Sequence, residues 1–229
     1  MSHQQTSPHQ PRTGAVSAAV LIAHGGRANS TAPVTPYQPA VLRMIPVAGA
    51  IRRAVPARTS VVTRPLYRLR GWNGDLASPV ADLTEALDQL GEQFGPIPVV
   101  LVGHSMGARA AMRVAGHPQV TAVAGLAPWL PPGEPVEQLA GRRVLLVQAA
   151  RDVVTRPADT WAFAERAAAV TTTATIELQH SDHAMLRRAP LWHRIATGFV
   201  RLALGLTDGG EPVAAAFQAA ETGGPRLLV

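Results

Sequence analysis

The sequence predicts a mostly parallel, doubly wound α/β sheet of about six strands, with helices on both faces and no cap domain. Three observations carry that expectation. Apolar runs of strand length alternate with longer segments of helical periodicity along nearly the whole chain, which is the pattern of βαβ units with parallel strands. The 229 residues are enough for one full core, and alanine and valine carry much of its apolar volume. Only about fifteen residues separate the apolar run ending near Leu126 from the one starting near Arg142, too few for a helical cap domain. Few residues precede the first strand, so an antiparallel edge hairpin has no room.

The elements follow in order. Residues 1–13 are polar and proline-containing and read as a disordered leader, ahead of a single domain spanning 14–206. Val16 to Ala23 is a buried strand ending at His24-Gly25-Gly26. A proline-punctuated loop follows, then a helix over about Pro39 to Arg53 that breaks near Pro46. Thr59 to Arg68 is a second strand, with Pro65 marking a bend or an end near Arg64. Gly71-Trp72-Asn73-Gly74 is a turn. Ser78 to Phe94 is an amphipathic helix with Val80, Leu83, Leu87 and Leu90 on one face, capped by Ser78 with Pro79 in the first turn. Pro98 to Val102 is a strand, and Ala108 to Ala115 a helix that stops at Gly116-His117-Pro118. Val120 to Leu126 and Arg142 to Ala149 are strands, Pro157 to Val170 a helix, and Thr173 to Gln179 the last strand. Leu191 to Leu206 closes the domain with Ile195, Phe199, Leu202 and Leu206 on one face. From Thr207 to Val229 glycine, proline and alanine dominate, and the segment reads as a tail.

Composition excludes several functions. There is no cysteine, hence no disulfide, thiolate metal site or cysteine nucleophile. All 21 basic residues are arginine, which excludes a Schiff-base lysine. The formal charge of +6 invites a nucleic-acid reading. However, the arginines are scattered, their densest pairs (Arg52-Arg53, Arg142-Arg143, Arg187-Arg188) lie far apart, and no aromatic residues interleave with them. No nucleic-acid partner is expected, although Arg27 and Arg151 leave an anionic substrate open. No apolar run is long enough to span a membrane. Val16 to Ala23 lacks the flanks of a signal peptide, so the expected location is cytoplasmic. The sequence sets no oligomeric state.

The chemistry centres on Gly103-His104-Ser105-Met106-Gly107. It fits the G-x-S-x-G pattern, and it sits between a buried strand and a helix, the context in which a sharp turn lifts a serine hydroxyl to the carboxyl edge of a sheet. A serine hydroxyl is a weak nucleophile and needs a base, and the base needs an orienting group. After the last strand stands Gln179-His180-Ser181-Asp182-His183-Ala184-Met185. His183, in the polar loop before the closing segment, is the expected base, with His180 as its rival. Asp152, just after the preceding strand, is the expected acid. Asp159 sits within a helix, and Asp182 is adjacent to His183, where neighbouring side chains diverge. The backbone N–H of Met106 and that of Gly26, or else Gly25, are the expected oxyanion donors. His104 should turn away from the substrate and His24 should hold its loop. Trp72, Trp129 and Met185 sit on loops at the presumed carboxyl edge and are candidates for an apolar acyl pocket. The His180-x-x-His183 pair with Asp182 has metal-ligand spacing, but no third separated cluster joins it, and no metal or organic cofactor is expected.

With Ser105, Asp152 and His183 in that chain order, the sequence resembles the α/β-hydrolase family from about Ser17 to Leu206, and more closely its small capless serine hydrolases near the dienelactone-hydrolase and carboxylesterase branch. The resemblance implies acyl transfer on a small acyl substrate, with esters or thioesters as the expected class. A cysteine nucleophile of the dienelactone-hydrolase type is absent, and Ser105 replaces the aspartate of haloalkane dehalogenase and epoxide hydrolase relatives. Two alternatives share these residues: a catalytically silent binding protein on the same fold, and an acyltransferase in which an alcohol replaces water.

Overall fold

The computed structural model describes residues 15–224 and 226–229; the expected leader at 1–13 lies outside them. Seven strands form one sheet: β1 (Ala18–Ala23), β2 (Ser60–Thr63), β3 (Val99–His104), β4 (Val120–Leu126), β5 (Arg143–Ala149), β6 (Thr173–Leu178) and β7 (Leu227–Leu228). They run parallel throughout, in the spatial order β2-β1-β3-β4-β5-β6-β7. The helices are α1 (Pro39–Leu42), α2 (Met44–Ala54), α3 (Ser78–Phe94), α4 (Met106–Val114), α5 (Pro157–Ala168), α6 (Ala189–Ala203) and α7 (Val213–Glu221).

The two-residue period of a strand divides the core into two layers. Val20, Ile22, Val100, Val102, Leu145 and Val147 face the layer built with α2, α6 and α7. Ala19, Leu21, Val99, Leu101, Val144 and Leu146 face the layer built with α3, α4 and α5. Both faces are therefore dry, which is why β1 and β3 are apolar nearly end to end. The chain leaves β1 for β2, then returns across β1 to β3. That reversal opens a crevice at the carboxyl ends of β1 and β3, where open α/β sheets place their ligands. His24-Gly25-Gly26 leaves one side of it and Ser105 the other.

Several elements depart from the sequence reading for identifiable reasons. The helix after β1 breaks at Arg43, between α1 and α2, rather than at Pro46. Pro46 falls in the first turn of α2, where a missing N–H breaks no helical bond. The second strand ends at Thr63, one residue before the Arg64-Pro65 step. The N-cap of α3 is Ala77, at φ 43, and Ser78 is its first helical residue. Leu206 lies beyond the end of α6 and is exposed. The stretch read as a tail from 207 is folded against the domain. Val213, Ala216 and Phe217 of α7 bury beside Phe199, and β7 extends the sheet from β6. The segment between β4 and β5 holds only one short 3-10 turn, Glu137–Leu139, and no helical cap.

Candidate active site

Ser105 is the only residue between β3 and α4. It adopts φ 54 and ψ −120, a conformation costing an L-residue on the order of 1–3 kcal/mol. The flanking glycines make this turn possible. A Cβ at Gly103 would stand 2.5 Å from the Ala108 Cα, and one at Gly107 would stand 2.4 Å from the His24 carbonyl oxygen. Any side chain would thus separate α4 from β3, or the turn from the loop after β1. The Ser105 N–H donates to Leu126 O at 3.1 Å and its carbonyl accepts from Trp129 N–H at 3.2 Å, tying the turn to the end of β4.

Three side chains distant in sequence meet at this turn. His183 Nε2 is 3.1 Å from Ser105 Oγ, and His183 Nδ1 is 2.8 Å from Asp152 Oδ2. Asp152 is held by donors on both oxygens. Oδ1 accepts from the N–H groups of Val154 (2.8 Å) and Thr155 (3.0 Å), and Oδ2 from Thr155 Oγ1 (2.9 Å) and Gln148 Nε2 (3.0 Å). Burial by itself would raise the Asp152 pKa. The hydrogen bonds from His183, Thr155 and Val154 overcome it and hold the carboxyl at about 2.

The rival residues are occupied elsewhere. Asp182 accepts the N–H groups of Leu186 and Arg187 and braces its own loop. Asp159 lies in the first turn of α5, 4.0 Å from Arg156 Nε. His180 is exposed. His24 donates from Nδ1 to Gly25 O at 2.7 Å and accepts the Tyr67 N–H at 3.4 Å, so it does hold its loop, and burial lowers its pKa. His104 lies beneath His183, with ring centroids 5.0 Å apart. Its Nε2–H donates to the His183 carbonyl at 2.8 Å. Burial, and then the neighbouring His183, lower its pKa to about 3, so it stays neutral and cannot compete as the base.

Among the described residues the N–H groups of Met106, Gly26 and Gly25 donate to no acceptor. Gly26 sits so close to the elbow that a Cβ there would lie 2.5 Å from Arg70 O and 2.2 Å from Met106 Cε, and a Cβ on Gly25 would lie 3.4 Å from Ser105 Cβ. Unpaired donors beside a serine at a helix N-terminus suit a developing negative charge.

The three candidate pocket residues separate. Trp72 and Trp129 meet edge to face at 6.1 Å and line a cleft of about 450 Å³ with Ala28, Asn29 and Arg113. Met185 does not join them. At φ 58 its backbone turns the side chain inward, and it is buried in the core layer with Trp192. The Arg109 guanidinium lies over both tryptophan rings, 3.8 and 4.5 Å from their centroids. It is fixed there by the buried Glu134, which also accepts from Arg113 at 2.6 Å. Larger hollows, of about 490 Å³ between α2 and α6 and about 560 Å³ beside β7, touch none of these residues.

Sequence reasoning missed the support behind Asp152. Gln148 is fully buried in β5, accepts from Thr160 Oγ1 at 3.2 Å and donates to Asp152. A glutamine between the apolar run Val144-Leu145-Leu146-Val147 and Ala149-Ala150 was the available signal, because a buried amide must find partners.

Comparison with known proteins adds the following. The model of the "Alpha/beta hydrolase family" matches residues 20–227. No curated protein matches the chain. Solved structures share the fold at low identity. An esterase from Pyrococcus furiosus is 14% identical with a TM-score of 0.63, covering 81% of this chain and 81% of its own. A serine hydrolase without lid from Xanthomonas campestris is 17% identical with a TM-score of 0.52, covering 87% and 84%. An alpha-beta serine hydrolase homologue from Coxiella burnetii is 16% identical with a TM-score of 0.57, covering 81% and 86%. Among the described residues no helix is long and apolar enough to cross a membrane.

Proposed function

Because this chain belongs to the alpha/beta hydrolase family, we propose that it is a serine hydrolase that cleaves ester or thioester bonds of acyl substrates through an acyl-enzyme intermediate. The observation that carries this reading is the relay Asp152–His183–Ser105, with contacts of 2.8 and 3.1 Å, beside unpaired backbone N–H groups.

In this reading His183 Nε2 takes the Ser105 proton as Oγ attacks the acyl carbon. The carbonyl oxygen becomes an oxyanion facing the N–H groups of Met106 and Gly26, each such donor contributing about 3 kcal/mol to the transition state. The proton on Nε2 passes to the departing alkoxide or thiolate. A water then gives its proton to Nε2 and attacks the acyl-enzyme, releasing the acid and restoring Ser105. Asp152 stays ionised throughout, holding the Nδ1–H tautomer and balancing the imidazolium charge. In this reading the acyl or leaving group reaches towards the cleft of Trp72 and Trp129, which Trp129 ties to the elbow through its N–H to the Ser105 carbonyl, and Met185 takes no part.

A fluorophosphonate probe tests this directly. Wild type is expected to become labelled and to hydrolyse nitrophenyl esters, and Ser105→Ala to do neither. A folded wild-type protein that resists the probe and hydrolyses no ester in a chain-length series would leave a silent binding protein in its place.

A further inference from the structure

The net charge of the chain is localised. In a parallel sheet every strand ends at the same edge, so the segments running from β1, β2, β5 and β6 into their helices (residues 24–45, 64–77, 150–156 and 179–188) share the edge that carries Ser105. Those segments hold nine arginines and three aspartates, one of them the buried Asp152, while the rest of the sequence holds twelve arginines and twelve acidic residues. These four segments therefore carry a formal +6, part of it met across their borders, where Arg68 pairs with Asp82 and Glu85 and Arg156 lies 4.0 Å from Asp159, while Glu134 on the exit of β4 is held by Arg109 and Arg113.

Exposed apolar side chains gather on the same edge. Of the ten large apolar side chains exposed among the described residues, eight fall in these four segments. The two loops that present the relay show the pattern most sharply. Val153 is 96% exposed directly after Asp152, and Leu186 is 72% exposed three residues after His183. Each has exposed arginines beside it in sequence, Arg151 and Arg156 in one loop and Arg187 and Arg188 in the other. Tyr37, 82% exposed, belongs to the segment leaving β1.

Apolar tips flanked by arginines match a surface that is apolar within and anionic at its boundary. The tips gain by leaving water, and the guanidinium groups pair with phosphates at the level of the headgroups. We propose that this edge docks on an anionic lipid–water interface, and that the acyl substrates are amphiphiles drawn from that interface. The substrate half of this inference rests on the hydrolase reading; the docking half does not. A second copy of the chain fits the edge poorly, since a two-fold contact would set the exposed arginines of the two relay loops against their own copies. A nucleic acid would use the arginines but leave Val153 and Leu186 in water.

The test is co-sedimentation of the full chain with phosphatidylcholine vesicles, with and without phosphatidylglycerol at about 30 mol%. It is paired with hydrolysis of a short soluble ester and of a long-chain ester dispersed in the vesicles. Wild type and Ser105→Ala are expected to bind the anionic vesicles alike, at least about tenfold better than the neutral ones, with loss of that advantage at about 0.5 M salt. V153S/L186S and R151S/R187S are each expected to lose about tenfold in anionic-vesicle binding and in dispersed-ester turnover, while soluble-ester turnover stays within about twofold. Equal binding to both vesicle types overturns docking. So does binding that falls in R151S/R187S but not in V153S/L186S, the result a nucleic-acid surface would give. A concentration-dependent dimer abolished by V153S/L186S overturns it in favour of self-association. Intact vesicle binding with no hydrolysis of either ester would defeat the hydrolase reading and leave the docking surface standing.

Discussion

Asp152 and Glu134 are both buried carboxylates at the same edge of the sheet, and their surroundings are opposite. Glu134 is closed in by cations: Arg109 and Arg113 hold its oxygens, and Arg166 donates to its carbonyl at 2.7 Å. The Arg113 pKa rises chiefly through its hydrogen bond to Glu134, whereas burial is the main reason that of Arg109 falls. Among the described residues Asp152 touches no arginine. Two backbone N–H groups, a threonine hydroxyl and a glutamine amide hold it, and its one titratable partner is His183. Fixed cations quench a buried charge. Neutral dipoles keep it ionised and leave its field to act on one imidazole. Glu134 is thus built as a brace, and Asp152 as the orienting acid of the proposed relay.

Asp152→Asn breaks the contrast most severely. The amide keeps the shape and loses the charge, so His183 is no longer held with its proton on Nδ1. Turnover on a nitrophenyl ester is expected to fall by about 10⁴ in kcat, with the fold retained by circular dichroism. A variant within tenfold of wild type would remove Asp152 from the relay.

Glu134→Gln should do the reverse. Arg109 would keep its place over the tryptophans with no carboxylate to balance it. Breaking a buried ion network costs about 3–5 kcal/mol, which corresponds to roughly 10 °C in melting temperature for a domain of this size. Ester turnover at 25 °C should change far less than in Asp152→Asn. Loss of turnover without loss of stability would make Glu134 part of the reaction rather than a brace.

The difference between the two carboxylates was only half legible in the sequence. Asp152, His183 and Ser105 were nameable because each follows a strand, and parallel strands deliver their exits to one edge. The G-x-S-x-G turn was legible because close backbone contact at residues 103 and 107 requires glycine. The partners were not legible. Glu134 meets Arg109 and Arg113 only once the segment after β4 lies against α4, and no local pattern encodes that approach. Met185 failed for a related reason: which way a loop residue faces depends on a single backbone dihedral. The segment after 207 was hidden by composition. Three core residues in an alanine-rich helix and a two-residue strand carry little periodicity, and both are ordered by surfaces that only the finished domain supplies.

The pH dependence of stability offers a finer comparison. The Asp152 carboxyl is held at about 2 in the folded protein, against about 3.9 for an unperturbed aspartate. A depressed folded-state pKa contributes stability that is fully present above the unfolded value and lost as pH falls through the folded one. Urea unfolding should therefore show Asp152 contributing about 2 kcal/mol at pH 6, fading between about pH 4 and pH 2. Asp152→Asn should lack that acid-side slope. His104, whose pKa is lowered to about 3, adds a slope in the same direction over a higher range: the unfolded chain gains its proton first, so the fold loses stability as pH drops from about 6.5 towards 3, and this loss persists in the Asp152 variant. Identical slopes in the two proteins would mean that Asp152 is not held as a carboxylate by its neutral donors.

The smallest expected effect isolates one of those donors. Thr155 Oγ1 donates to the same Asp152 oxygen that faces His183 Nδ1. Thr155→Val keeps the volume and deletes that donor, while the Thr155 N–H to Oδ1 remains. One neutral hydrogen bond has a net value of about 1 kcal/mol. With the carboxylate less firmly held, kcat should fall about fivefold at unchanged KM, and the acid-side loss of stability assigned to Asp152 should be smaller and be complete at a higher pH than in wild type. A purely structural threonine would lower the melting temperature and leave the Asp152 acid slope where it was. That result would assign the holding of Asp152 to its backbone N–H contacts and Gln148, and would set Thr155 aside as packing.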